Sequence, residues 1–162
     1  MSKGSSEPSL PESGGEARGD GRHASVDLVV GRHLRAGWWG LAAFVLLGVV
    51  LEALHAIKSP LYVDAGRETT RLLLRLAHAH GTLLSLVNVA YALTVRARAG
   101  AARAVASGGL LASLVLLPGG FLLGALWARG GDPGVGIVLV PAGAVALFVA
   151  AVGIGRRVSR GE

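Results

Sequence analysis

The order of apolar and polar positions divides the chain into a polar opening stretch and four long apolar runs, at 38–57, 72–95, 105–128 and 135–154. Each run can cross a hydrocarbon core of roughly 30 Å as an α-helix, which takes about 20 apolar residues. Lipid offers backbone N–H and C=O groups no partner, so a lone apolar run crosses as a helix. The pattern predicts an all-α protein: a four-helix transmembrane bundle with helices at about 38–57, 69–95, 104–128 and 135–155.

Residues 1–27 are rich in Ser, Gly, Glu and Pro and almost free of aliphatic side chains. Such a segment cannot bury enough apolar surface to offset the entropy of ordering, which predicts a disordered cytoplasmic tail. Residues 28–162 form one membrane domain, because the connections between runs are too short to hold a second core. The stretch 26–36 mixes Val, Leu, Arg and His, and reads as a short interfacial turn ahead of the first span. No apolar stretch lies close enough to Met1 for a secretory signal, so the first span reads as an uncleaved anchor.

Composition strengthens this reading. Hydrophobic residues make up 52% of the 162, more than a soluble domain of this size could hide in one core. The net charge of +6 comes from arginines beside the helix ends. Arg32, Arg35, Arg96, Arg98, Arg103, Arg156, Arg157 and Arg160 lie on one side, and Lys58, Arg67, Arg71 and Arg129 on the other. By the positive-inside rule both termini are cytoplasmic. Trp38 and Trp39 at the inner edge, and Tyr62 and Trp127 at the outer, follow aromatic-belt placement. No basic stripe with interleaved aromatics accompanies the arginines, which speaks against nucleic acid as a partner. A compact, Ala-, Gly- and Arg-rich multi-pass chain suits a bacterial inner (cytoplasmic) membrane. The absence of cysteine excludes disulfides, thiolate metal sites and cysteine nucleophiles.

Small residues recur in the third run, at Gly109 and Ser113 and again at Gly120 and Gly124, a spacing that lets backbones approach in lipid. Ala142, Gly143, Ala146 and Ala150 offer the same in the fourth. Pro118 predicts a kink in the third helix and Pro141 one in the fourth.

Candidate chemistry is confined to the first helical hairpin. Gly48, Glu52 and His55 share one face of the first helix, and Arg71, Arg75 and His78 one face of the second, continued by Gly81, Ser85 and Asn88. The two helices are antiparallel, so Glu52 and His78 meet in the outer half of the membrane, where ionisable groups are costly unless paired or hydrated. His80 falls about 200° around the helix from His78. His23 and His33 lie in the tail or at the cytoplasmic edge, away from this cluster, and Asn88 and Tyr91 are the polar residues of the inner half.

Several readings of the cluster stay open. In a packing reading, Glu52 pairs with Arg75, while the histidines and Asn88 hydrogen-bond across helices. In a metal reading, Glu52, His55 and His78 hold a single divalent ion, since carboxylate and imidazole suit zinc or iron. A third reading is proton exchange between Glu52 and a neighbouring histidine. The fourth is haem. The stretch Ala77-His78-Ala79-His80-Gly81, continuing through Asn88 to 92, resembles the second-helix histidine region of haem-copper oxidase subunit I, where a His-Gly pair supplies an axial haem ligand. That resemblance implies His80 as a haem ligand, with His55 as the available second imidazole. The chain departs from that family in its few spans, in lacking the copper-ligating histidines, and in having Leu84 where the family often has methionine.

No Gly-rich phosphate loop, His-Glu-x-x-His or nucleophile elbow occurs, which removes support for nucleotide hydrolysis, metalloproteolysis and esterase chemistry. The expectation is a small integral membrane protein, a non-enzymatic accessory or structural subunit in contact with lipid and with other membrane subunits or a second copy. The rival is a haem- or metal-binding protein active in electron transfer.

Overall fold

The computed structural model describes the backbone of residues 13–98, 100, 104–129 and 131–160, and the side chains among these from 24 onward apart from 61. Four long helices dominate: α1 (Ser13–Ala56), α3 (Glu68–Ala97), α4 (Ala104–Leu126) and α5 (Leu139–Arg160). A one-turn helix, α2 (Pro60–Val63), and a 3₁₀ turn, Ala65–Arg67, link the first pair. A second 3₁₀ turn, Val135–Val138, leads into α5. All four long helices are long and apolar enough to cross a membrane, so the chain is a multi-pass membrane protein whose outer surfaces suit lipid.

The helices stand in a row. α1 packs on α3, α3 on α4 and α4 on α5, while α1 and α5 form the two edges. Burial follows this order: 33% and 50% of the most apolar stretches of α3 and α4 are enclosed, against 11% for α1 and for α5. Leu73, Ala77, Leu84, Leu114, Leu117 and Phe121 form the central core between α3 and α4.

The seam between α1 and α3 is close because glycines remove side chains where the partner needs room. A Cβ on Gly48 would run into the His78 ring, one on Gly81 into the Phe44 ring, and one on Gly37 would come within 2.9 Å of the Ser85 carbonyl. The α4–α5 seam works the same way. A Cβ on Gly143 would lie 2.9 Å from the Leu117 backbone nitrogen, and one on Gly109 2.9 Å from the Ala146 carbonyl. In lipid, where helices gain little from hydrophobicity, such approach lets dispersion hold them together. Of the predicted pair Gly120 and Gly124, Gly120 is the tight position: its Cβ would come within 2.9 Å of Val140, whereas that of Gly124 meets nothing nearer than 3.5 Å.

Sequence expectations are corrected at the start of α1 and at Pro141. α1 begins at Ser13, well before 38, so residues 13–27, read as part of the tail, and 26–36, read as a turn, are helical. Residues 1–12 lie outside the described residues. The extension has a core of its own: Val26, Val29 and Val30, at helical spacing, pack against a buried cluster that includes Tyr91, Val95, Ala106 and Leu110. α4 runs on through the buried Pro118 as one helix. Pro141 falls in the first turn of α5, where no backbone N–H partner is lost.

One end of the row gathers the start of the described α1, the α3–α4 connection and the end of α5. Arg98 donates to the Val158 carbonyl at 3.1 Å and Arg157 to the Gly100 carbonyl at 2.6 Å. At the other end, Thr69 donates to the Gly131 carbonyl at 2.7 Å, tying α3 to the turn before α5.

Candidate functional site

At the loop end, α1 stops sharply. Lys58 has a positive φ of 49°, and the Ser59 N–H reaches back to the Leu54 carbonyl at 3.0 Å while that of Lys58 reaches His55 at 3.0 Å. These two bonds form a Schellman cap, and Pro60 then directs the chain away from the helix axis. The turn of α2 tucks Tyr62 under the hairpin, where it is 3% exposed. Arg71 holds it there by donating to the carbonyls of Val63 at 2.8 Å and Tyr62 at 3.3 Å.

Above Tyr62 a groove of about 400 Å³ opens between α1 and α3. Its polar lining is Glu52, Tyr62, Arg75 and His78, and its apolar wall includes Val45 and Val49. Arg75 Nε donates to the Tyr62 hydroxyl at 3.1 Å, and the guanidinium carbon stands 6.0 Å from the centre of that ring. His78 Nδ1 donates to the Phe44 carbonyl at 2.7 Å, pinning α3 to α1. Glu52 and Arg75, expected to pair, share the groove but form no ion pair within 4.0 Å.

The residues of the metal reading are only partly brought together. Glu52 and His78 line the groove, whereas His55 is exposed beside it, its ring edge-on to Tyr62 at 6.4 Å. Among the described residues no three His, Asp or Glu side chains converge as a metal-holding group.

His80 faces the other side of α3. Its Nδ1 donates to the Leu76 carbonyl one turn back at 2.9 Å, and its ring lies 5.0 Å from that of Phe121 on α4. The ligand pair implied by the oxidase resemblance is therefore separated, with His80 at the α4 interface and His55 beside α2.

Sequence reasoning missed the most enclosed polar centre. His33 is fully buried, together with Asn88 of α3 and Ser107 of α4. The early start of α1 carries it into the contact of three helices, at the opposite end of the hairpin from the Glu52–His78 groove. Asn88 Nδ2 donates to the Leu84 carbonyl at 2.8 Å, which turns its Oδ1 toward His33 Nδ1 at 2.6 Å. That oxygen can only accept, so Nδ1 carries the proton. In the neutral ring Nε2 then accepts from the Ser107 hydroxyl at 2.7 Å, and Arg32 in turn donates to the Ser107 oxygen. Tyr91 meets the imidazole edge-on, 4.7 Å between centroids. The readable signal was a run at helical spacing through Val26, Val29, Val30, His33 and Gly37.

The polar groups of the spans are thus largely used inside the protein. Among the described residues the one buried side-chain atom lacking a partner is Thr82 Oγ1. No protein-family model, curated protein or solved structure matches the chain.

Proposed function

We propose that this protein is a non-enzymatic accessory subunit of a bacterial cytoplasmic-membrane assembly, with both termini inside the cell. The observation that carries the reading is how its imidazoles are used. His33, His78 and His80 each hold a side chain or carbonyl of the helix array through Nδ1. The His33 and His78 bonds tie α1 to α3 and so set helix register, while the His80 bond runs within α3. The uncovered edges, α1 and α5, are where other subunits or a second copy would pack, and the arginine-rich end supports cytoplasmic termini.

Purification in mild detergent tests this. The expected preparation shows no Soret band and no stoichiometric iron, zinc or copper, and its scattering mass exceeds one 16.5 kDa chain. His80 keeps Nε2 for a ligand, so a Soret band abolished by His80→Ala would overturn the proposal in favour of haem. Stoichiometric metal lost on Glu52→Ala or His78→Ala would overturn it in favour of the metal centre.

A further inference from the structure

We propose that the groove between α1 and α3 seats the headgroup of one aminophospholipid, with its phosphodiester on Arg75 and its ammonium on Glu52. This rests on the reading that the four helices cross a bilayer, and it names the partner of the loop-end groove.

The charges call for an occupant. Glu52 lies roughly 6 Å inside the end of α1, and Arg75 about 10 Å inside the start of α3, at 1.5 Å per residue. Both charges thus lie toward the loop end of the hairpin, where lipid headgroups would sit, and neither has an ion-pair partner among the described residues. Arg75 uses Nε on Tyr62 and keeps its two terminal nitrogens, which present the planar fork that suits phosphate. Tyr62 accepts that bond and retains its own O–H for a phosphate oxygen. His78 has Nδ1 on Phe44 and keeps Nε2. Glu52 is acceptor only, which suits a primary ammonium.

Charge complementarity selects among headgroups. An anionic headgroup would satisfy Arg75 but stand against the Glu52 carboxylate, and a simple cation would do the reverse. A zwitterion carrying phosphate and ammonium meets both. The groove volume falls within the roughly 300–1,000 Å³ of small-ligand sites. Val45 and Val49 continue its wall toward the bilayer centre and are 46% and 60% exposed, a path for an acyl chain.

Native mass spectrometry of the full chain in mild detergent is the test. Phosphatidylethanolamine and phosphatidylglycerol are added at equal concentration, and soluble glycerophosphoethanolamine separately. The expected result is one phosphatidylethanolamine adduct, favoured over phosphatidylglycerol. Affinity falls roughly tenfold or more in Glu52→Gln and in Arg75→Gln, as for one lost hydrogen bond to a charged group. Glu52 has no hydrogen-bond or ion-pair partner among the described residues, so Glu52→Gln keeps the fold, checked by circular dichroism. A preference for phosphatidylglycerol, or adducts unchanged in both variants, would overturn the proposal. Equal binding of the soluble ester would overturn the lipid assignment, since the apolar wall would then contribute nothing. Release of the chain from membranes by carbonate would overturn the bilayer reading itself, separately from the groove.

Discussion

Replacing His33 with leucine tests the buried centre most directly. The substitution fills much of the same space but removes the Nδ1–H that Asn88 accepts and the Nε2 that Ser107 faces. Ser107 keeps Arg32, whereas Asn88 Oδ1 is left in a fully buried position with no donor. An orphaned buried acceptor costs about 1–3 kcal/mol, while interhelical hydrogen bonds in membranes average only about 0.6. The first figure governs here, because the site is enclosed on three helices and Asn88 is held by its bond to Leu84. The expected loss is therefore about 2 kcal/mol.

The double variant His33→Leu/Asn88→Leu removes donor and acceptor together and should cost clearly less than the two single losses added, by about 1 kcal/mol of coupling. Reversible unfolding in mixed micelles, followed by the fluorescence of Trp38, Trp39 and Trp127, supplies the numbers. A loss below about 0.5 kcal/mol for His33→Leu, set against the penalty range above, or strict additivity in the cycle, would refute the network as a determinant of stability.

Other outcomes follow from the same geometry. Gly143→Ala sets its methyl against the Leu117 backbone, which cannot yield as a side chain can, and should lower micellar unfolding stability by roughly 1–3 kcal/mol. Gly119→Ala and Gly153→Ala face open space and should be neutral or raise stability by up to about 1 kcal/mol. Arg71→Ala frees the carbonyls of Tyr62 and Val63, so limited proteolysis of the α1–α3 connection should become faster. The natural chain has no cysteine, which makes single replacements clean reporters of side. With an impermeant maleimide on intact cells, Asp132→Cys should react and Ser159→Cys should react only after lysis; the reverse would refute cytoplasmic termini.

The four spans were legible because hydropathy over some twenty residues is a local property. The start of α1 was not. Arg32, His33 and Arg35 break the apolar run, and what makes 24–37 a packed helix is the surface of α3 and α4, which no window along the chain can contain. The groove was half legible: Glu52, Arg75 and His78 stood out by spacing. The part played by Tyr62 depends on the Schellman cap at Lys58, a positive φ on a residue type that does not announce one. His78 and His80 were assigned to different faces by helical rotation alone, and they lie at the α1 and α4 interfaces.

The two ends of the hairpin handle polar groups in opposite ways, and the difference has a physical source. At the terminal end a third helix is present: Ser107 of α4 closes the pair His33–Asn88, so each hydrogen-bonding group finds a partner and water is excluded. At the loop end α4 lies on the far face of α3, against His80 and away from His78. Glu52 and Arg75 are therefore left on a groove walled by two helices and floored by Tyr62. A row of helices, unlike a closed ring, always leaves its edge helix one such open flank. Polar groups are thus closed off and paired where three helices meet, and left open on a groove where only two do.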